Sequence, residues 1–340
     1  MVTVIFYLFN VLPGDPAQMM LGQNEDSAQI AAVKAKYGFD KPISTQYLYY
    51  LNDVSLISFH STNRADYTYL KDGKYTASNL FSFGNITTVI KFPYLRESFT
   101  KQGKKVSQVL IETLPNTAVL AVSAIVIAII LGILLGILSA LYKDTWIDKT
   151  IQIFSTFGMS VPSFFSAILF AWFFGFVLHE YTNLEMIGSL YELDDFGEKM
   201  NIQWKNLILP AIVLGIRPLA VIIQLMRNSL LEVFNQDYIR TARAKGLSEF
   251  QIIKNHAIKN ALNPVVTAIS GWFASMLAGA VFVEYIFGWN GLGKEIVNAL
   301  NTLDLPVIMG AVLVISVVFI FINIVVDVIY GWLDPKVKLE

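Results

Sequence analysis

Long apolar stretches separated by polar segments dominate the pattern of this chain. Five of them are near or above the roughly 20 residues that a helix needs to cross a bilayer, and they occupy residues 117–141, 151–178, 207–226, 265–287 and 306–333. Each therefore predicts a membrane-spanning helix. In the first stretch, the small residues Gly132, Gly136 and Ser139 predict a face on which another helix packs closely.

A sixth apolar block occupies residues 1–12. With a helical rise of about 1.5 Å per residue it would extend roughly 18 Å, against a hydrocarbon core of roughly 30 Å. We interpret it as part of a first transmembrane helix that is truncated. The following Pro13, Gly14, Asp15 and Pro16 predict an abrupt end, because proline cannot continue a helix and glycine permits the turn.

Residues 13–106 are more polar and carry only local signals. Residues 29–37 predict a short helix. The β-prone residues 67–70 and 75–77 flank Lys71-Asp72-Gly73-Lys74, and Asp-Gly between such runs predicts a hairpin. We therefore expect a small α+β lobe at about residues 45–105, followed by a five-helix membrane core at residues 107–340.

Lysine and arginine in the short loops predict the orientation, because basic loops stay on the cytoplasmic side. The basic residues of one side are Lys143, Lys149, Arg227, Arg240, Arg243, Lys245, Lys254, Lys259, Lys336 and Lys338. The short loops of the other side hold Lys199, Lys205 and Lys294. The first side, with the C-terminus, is predicted to be cytoplasmic, which places the 13–106 segment outside.

Composition supports this class of protein and excludes several others. The chain has 340 residues, of which 55% are hydrophobic and 15% charged, whereas soluble domains have about 25% charged residues. With a net charge of −1 and no cysteines, there is no basic field for nucleic acid and no thiol chemistry. The sequence predicts an all-α polytopic membrane protein with a small extracytoplasmic α+β insertion.

A glycine-rich stretch resembles a phosphate-binding loop. Residues 288–294 match its first seven positions, but Glu295 replaces the Ser or Thr that would bind magnesium. No strand precedes the stretch, and its predicted position is extracytoplasmic. We expect a glycine-rich turn between two membrane helices, with any ATP site on another chain.

Isolated polar residues inside the spans leave two interpretations open. Arg217 lies near the middle of a span, and Asp327 near the cytoplasmic end of the last one. Because buried charge is costly in a bilayer, they either line a polar pathway or pair between helices. Pro162 breaks a helix within the bilayer, either as a packing kink or as the bend of a gate or cavity.

The loop at residues 229–262 is charged and helix-prone, and it lies between two spans. It has no nucleophile, metal cluster or phosphate cradle, so its predicted role is mechanical. His256 is expected to have a surface or capping role.

Five blocks of sequence resemble OppB/DppB-type permease subunits of ATP-binding-cassette (ABC) peptide importers. They are Leu12-Pro13-Gly14-Asp15-Pro16-Ala17, Tyr37-Gly38-Phe39-Asp40-Lys41-Pro42, Thr113-Leu114-Pro115-Asn116-Thr117, Tyr238 through Gly246 with His256 and Pro264, and Asp327-Val328-Ile329-Tyr330 with Leu333-Asp334-Pro335. The glutamate of the family's signature is absent, since that signature falls on Arg240, Thr241 and Ala242. Residues 60–104 are longer than the corresponding family loop.

The resemblance implies six transmembrane helices of the type I ABC importer permease fold and transport by alternating access. It implies as partners a homologous permease, two cytoplasmic ATPase subunits that hold ATP and magnesium, and an external substrate-binding protein. The expected coupling residues are Tyr238, Arg240, Thr241, Ala242, Arg243, Ala244, Lys245, Gly246 and His256, and the candidate pathway residues are Arg217, Pro162 and Asp327. This chain would perform no chemistry and hold no cofactor or metal.

Several alternatives remain at this point. The substrate could be an oligopeptide, a dipeptide, a nickel chelate or a peptide-like antibiotic. An ATP-independent channel or secondary carrier would show inverted repeats or paired broken helices, and the sequence shows neither. A membrane-embedded enzyme would need convergent reactive side chains in the spans, and only scattered polar residues occur there.

Overall fold

The computed structural model describes residues 1–10, 17–18, 26–64, 66–70, 74–101, 103–194 and 198–333. It contains two compact units. One comprises Met1–Thr113 and Glu295–Ser316, and the other Leu114–Lys294 and Val317–Glu340.

Helices make up most of the described chain. In chain order they are α1 (Val2–Asn10), α2 (Ser27–Tyr37), α3 (Ile43–Val54), α4 (Val106–Leu141), α5 (Trp146–Ser160), α6 (Ser163–Trp172), α7 (His179–Thr182), α8 (Lys205–Phe234), α9 (Asp237–Ala244), α10 (Glu249–Ile252), α11 (Ile258–Ala261), α12 (Asn263–Gly279), α13 (Val281–Phe287), α14 (Leu292–Asn301) and α15 (Leu305–Leu333). The turns Phe173–Val177 and Ile253–Ala257 are π-helical. The strands are β1 (Ile57–Ser61), β2 (Ala77–Phe83), β3 (Ile86–Lys91), β4 (Tyr191–Leu193) and β5 (Met200–Ile202).

The first unit contains an antiparallel sheet in the order β1-β3-β2, so the predicted mixture of helix and strand is present. The predicted helix at residues 29–37 is also confirmed, as α2, capped by the Asp26 side chain and by Gly38 in the left-handed conformation. The hairpin, however, joins β2 to β3, and Ile86 pairs with Phe83. The prediction of strands at residues 67–70 and 75–76 is wrong, and the proposed turn at 71–73 lies outside the described residues.

A buried carboxylate explains why residues 67–70 and 75–76 form no strands. Asp53 is 1% exposed and accepts hydrogen bonds from Tyr67 Oη (3.0 Å) and Tyr75 Oη (3.2 Å). It also pairs with Arg96 Nε at 3.0 Å. Burial raises the pKa of both tyrosines, so their hydroxyls remain protonated donors. These tyrosines are held by a tertiary contact rather than by strand pairing.

Two further contacts tie this unit together around the same centre. Lys91 is buried, its amine donates to the carbonyl oxygens of Asp53 and Ser55, and burial lowers its pKa to about 8. Arg96 has a φ of +68°, which is rare for a residue with a side chain. The side chain of this arginine makes the ion pair to Asp53.

Helix α1 packs on α3 through aromatic side chains. Phe6 and Tyr50 are almost fully buried, with ring centroids 5.4 Å apart, and Thr3 Oγ1 is 2.7 Å from Tyr47 Oη. The predicted end of this helix at residues 13–16 lies outside the described residues.

The turn before α15 is anchored by Asp304, which is 1% exposed. Its carboxylate accepts the backbone N–H groups of Phe99 (3.1 Å) and Thr100 (3.2 Å) and the hydroxyl of Ser98. All four groups belong to the first unit.

Three helices in the described part of the chain are long and apolar enough to cross a membrane: Val106–Leu141, Lys205–Phe234 and Leu305–Val325. They contain the predicted spans at 117–141 and 207–226 and most of the span at 306–333. The predicted break at Pro162 within the 151–178 stretch is confirmed, since α5 and α6 meet there at 110°. The 265–287 stretch is likewise divided, into α12 and α13 at Ala280.

The break between α5 and α6 follows from proline chemistry. Pro162 has no N–H to donate, and it disfavours the helical conformation of the residue before it. Val161 accordingly has an extended backbone, and its N–H bonds to the carbonyl of Phe157. The carbonyl of Pro162 accepts the N–H groups of Phe165 and Ser166, so this carbonyl is satisfied within the protein at the start of α6.

The predicted close-packing face of α4 is confirmed. A Cβ atom added to Gly132 would lie 2.6 Å from Ile222 Cγ2, and one added to Gly136 would lie 2.6 Å from Met226 Cβ. Ser139 is fully buried on the same helix. Helices α4 and α8 therefore meet at a distance that only residues without a bulky side chain permit.

We predict that Asp53→Ala destabilises the three-stranded sheet by about 3–5 kcal/mol, because Arg96 is left buried without its carboxylate. Amide hydrogen exchange in β1 and β3 of the full chain is then expected to accelerate by on the order of 100-fold or more. The matched control is Asp40→Ala, which removes an exposed carboxylate that pairs only with neighbouring Lys41 and is expected to change little. Equal protection in both variants would contradict this account.

Candidate functional site: a helical hairpin and a polar cavity

The loop predicted at residues 229–262 is built as a helical hairpin. Helix α9 is followed by a turn at Gly246, whose φ is +78°, and then by α10, the π-helical turn and α11. Ser248 and Gln251 form a reciprocal capping box at the start of α10, which fixes where the second arm begins. A left-handed backbone favours glycine at the turn.

Two apolar residues attach α9 to the rest of its unit. Ile239 and Ala242 are 0% and 5% exposed, and they belong to a core with Leu230 and Val233 of α8 and Ala261 of α11. Ala242 therefore faces inward and cannot be part of a docking surface. The hairpin and the end of α8 form one packed body.

The other predicted coupling residues are at the surface. They are Tyr238, Arg240, Thr241, Arg243, Ala244, Lys245, Gly246 and His256. Arg243 forms a bidentate pair with Glu249 at 2.9 and 3.2 Å, which ties the two arms together. The Tyr238 hydroxyl accepts a hydrogen bond of 2.8 Å from Asn260, and the exposed side chain of His256 agrees with its predicted surface role.

Phe250 is a surface feature that the sequence reading missed. It is 72% exposed at the start of the second arm. The sequence feature that could have identified Phe250 is that it is an isolated aromatic residue in a charged loop. The exposed surface of the hairpin thus combines basic side chains with one large apolar side chain.

The surroundings of Gly246 leave room for a side chain, because no atom lies within 4 Å of an added Cβ. The constraint is the positive φ, which β-branched residues adopt only with strain and which asparagine tolerates.

An ion pair between Arg227 and the buried Asp148 lies at the base of the hairpin, and no local sequence pattern predicts it. Arg227 donates from Nε to Asp148 Oδ1 (2.8 Å) and from Nη2 to Oδ2 (2.7 Å). The same carboxylate accepts the Ser139 hydroxyl at 2.5 Å and the Asp144 N–H at 3.0 Å. Helices α4, α5 and α8 are therefore joined just before the coupling hairpin begins.

A cavity of about 170 Å³ lies beside the bend between α5 and α6. Its lining residues are Gly158, Val161, Ser163, Ser166, Val213, Leu214, Ile216, Arg217, Trp272, Ser275 and Met276. Arg217 thus lies at a cavity, and its role in a transport pathway stays a prediction. Pro162 forms the bend itself and is flanked by lining residues, whereas the side chain of Asp327 lies outside the described residues.

The glycine-rich turn at 288–294 already holds an anionic group from its own chain. Glu284 is fully buried, and its carboxylate accepts the N–H groups of Gly293 (2.7 Å) and Lys294 (3.1 Å) and the hydroxyl of Thr117 (2.7 Å). A Cβ at Gly291 would lie 2.5 Å from this carboxylate. Glu284 therefore occupies the place that a phosphate would take, and it is a structural residue.

The same turn is fastened to the start of the α4 span. The indole N–H of Trp289 donates to the carbonyl of Asn116 at 3.0 Å, and the Asn116 amide donates to the carbonyl of Asn290 at 2.7 Å. Two motifs that are about 175 residues apart in the sequence thus form one hydrogen-bonded junction.

Comparison with known proteins first defines the class. The fold matches the inward-facing structure of the MetNI methionine ABC transporter with a TM-score of 0.52, over 67% of this chain and 97% of that chain. At 14% sequence identity this match concerns the fold alone. The fold is that of an ABC importer permease of type I, as expected from the sequence.

Family models and relatives then give the family. Residues 132–339 match the inner membrane component of binding-protein-dependent transport systems, and residues 1–121 match the N-terminal model of the same components. The chain belongs to this family of membrane permease subunits. It is 34% identical to the dipeptide transport system permease protein DppB of Bacillus subtilis, over 99% of this chain and 92% of that protein. The protein of the same name from Alkalihalophilus pseudofirmus is 31% identical, with coverages of 99% and 94%.

We predict that Gly293→Ala lowers the stability of the purified protein, because its Cβ would lie 2.5 Å from the Val281 backbone. The matched control is Gly271→Ala in α12, where no atom lies within 4 Å of an added Cβ. Alanine there should be neutral or stabilising by roughly 0.5–1 kcal/mol. The thermal stability of the two variants in detergent is compared by heating each protein and measuring the remaining folded fraction by size-exclusion chromatography. A Gly293→Ala protein as stable as the control would show that the turn is not closely packed.

Proposed function

We propose that this chain forms half of the translocation pathway of an ATP-driven importer of dipeptides or oligopeptides. The single observation that carries this proposal is the arrangement of α8, which borders the polar cavity at Arg217 and ends in the packed hairpin. The names of the full-length relatives support a peptide as the substrate.

The partners follow from what the chain needs to function. Its one loop that resembles a phosphate site, among the described residues, is filled by Glu284, so the energy of ATP must come from other subunits. Two ATPase subunits, a homologous permease that completes the pathway and an extracytoplasmic substrate-binding protein are the proposed partners. The basic loops support a cytoplasmic position for the hairpin and the C-terminus.

The proposed mechanism is alternating access. ATP binding closes the ATPase pair, and the exposed face of α9 moves with the subunit on which it docks. The buried contacts of Ile239 pass this motion to α8, and the pair between Asp148 and Arg227 passes it to α4 and α5. The cavity then changes the side to which it opens. Such coupling requires that docking differ in free energy between the two nucleotide states.

We predict that Gly246→Val lowers ATP-driven peptide uptake by roughly tenfold, because a β-branched residue at a φ of +78° strains the turn that presents α9. Gly246→Asn is the matched variant and should retain most of the uptake, since asparagine tolerates this conformation. Uptake is measured in proteoliposomes that contain the complete transporter. Membrane insertion of both variants is measured alongside and should be unchanged. Wild-type uptake by Gly246→Val would refute the role of the turn.

A further inference from the structure

Four polar residues line the cavity beside the α5–α6 bend. They are Arg217, Ser163, Ser166 and Ser275, of which Arg217 and Ser275 are exposed in the single chain. Within the described part of the chain, none of these four side chains has a hydrogen-bond or ion-pair partner. The cavity lining contains no carboxylate either. The lining therefore contains one cationic residue and three serines, and no anionic residue of this chain.

Three helices bring these groups together. Ser163 and Ser166 are three residues apart in the first turn of α6 and lie on one face of that helix. The bend at Pro162 places the positive end of the α6 dipole next to the cavity. Helix α8 supplies Arg217, and α12 supplies Ser275 together with Trp272.

The size of the cavity limits what it can hold. Its volume of about 170 Å³ is more than ten times the roughly 10–15 Å³ that admits a single water molecule. A carboxylate group and the atoms next to it fit in such a volume. Trp272 offers an apolar wall beside the polar groups.

We infer that this cavity binds the carboxylate end of the transported peptide. The fork of N–H donors of Arg217 matches a carboxylate in two parallel hydrogen bonds, and the serine hydroxyls donate to its remaining lone pairs. This assignment rests on the proposed function, because it names the part of the peptide that the pathway recognises. The competing occupant is an acidic side chain of the partner permease, and the experiments below distinguish the two.

The first experiment measures binding without transport. The chain has no cysteine, so Ser275→Cys introduces a single thiol into the cavity, in a complete transporter whose other subunits carry no reactive cysteine. The rate of labelling by a small water-soluble thiol reagent is measured with dialanine and with dialanine amide. Dialanine is expected to slow labelling several-fold, and the amide is not. Adding Arg217→Gln should remove the protection. Equal effects of the two ligands, or no protection, overturn the inference.

The second experiment measures transport selectivity. We compare the rate of dialanine uptake with the rate of uptake of its amide. The binding protein is the same in every variant, so its own preference cancels when this ratio is compared with that of the wild type. Arg217→Gln is expected to lower this ratio roughly tenfold, as the loss of a charge-assisted contact would. Arg217→Lys, which keeps the positive charge, should lower the uptake ratio less than Arg217→Gln does. Lys205→Gln, a charge loss at the start of the same helix and outside the cavity lining, should leave it unchanged.

The outcomes separate the two proposals. If Arg217→Gln lowers uptake of both peptides equally, the arginine pairs with a partner subunit and the inference is overturned. If dialanine protects the thiol but the wild-type transporter takes up neither peptide, the subsite stands and the proposed peptide transport fails.

Discussion

The close packing of α4 against α8 is the contact on which the functional part of the molecule depends. In a bilayer, apolar side chains gain nothing by leaving lipid, so helices associate through van der Waals contact and hydrogen bonds. Gly132 and Gly136 of α4 bring the backbones together at Ile222 and Met226, and Gly215 of α8 approaches the Ala124 carbonyl in return. Helix α8 borders the cavity at its middle and carries the hairpin at its end, so its position sets both.

The helix breaks lie where backbone groups find partners inside the protein, as a hydrocarbon environment requires. At the α5–α6 break, the carbonyl of Pro162 is used by α6. At the turn after α13, the carboxylate of Glu284 accepts the N–H groups that begin α14. The first break creates the cavity, and the second creates a rigid junction with α4. We therefore assign a transport role to the break at Pro162 and a stabilising role to the turn that Glu284 holds.

Periodicity and charge could predict the long spans, the glycine face of α4 and the helical hairpin, because each depends on local composition. The sequence could not predict the pair between Asp148 and Arg227, which are 79 residues apart, or the filling of the glycine turn by Glu284. Those contacts arise only when distant helices meet. The strands expected at residues 67–70 and 75–76 do not form for the same reason, since Tyr67 and Tyr75 bond to Asp53.

Site-specific crosslinking from the hairpin tests the central claim that this surface couples the chain to an ATPase. A Lys245→Cys variant of the cysteine-free chain is assembled into the complete transporter and treated with a short bifunctional reagent. The account predicts a product with an ATPase subunit whose yield changes with the nucleotide bound, and no such product from Lys205→Cys at the opposite end of α8. A crosslink from Lys245→Cys to the external binding protein would contradict the account. So would a yield of the ATPase crosslink that is the same in every nucleotide state.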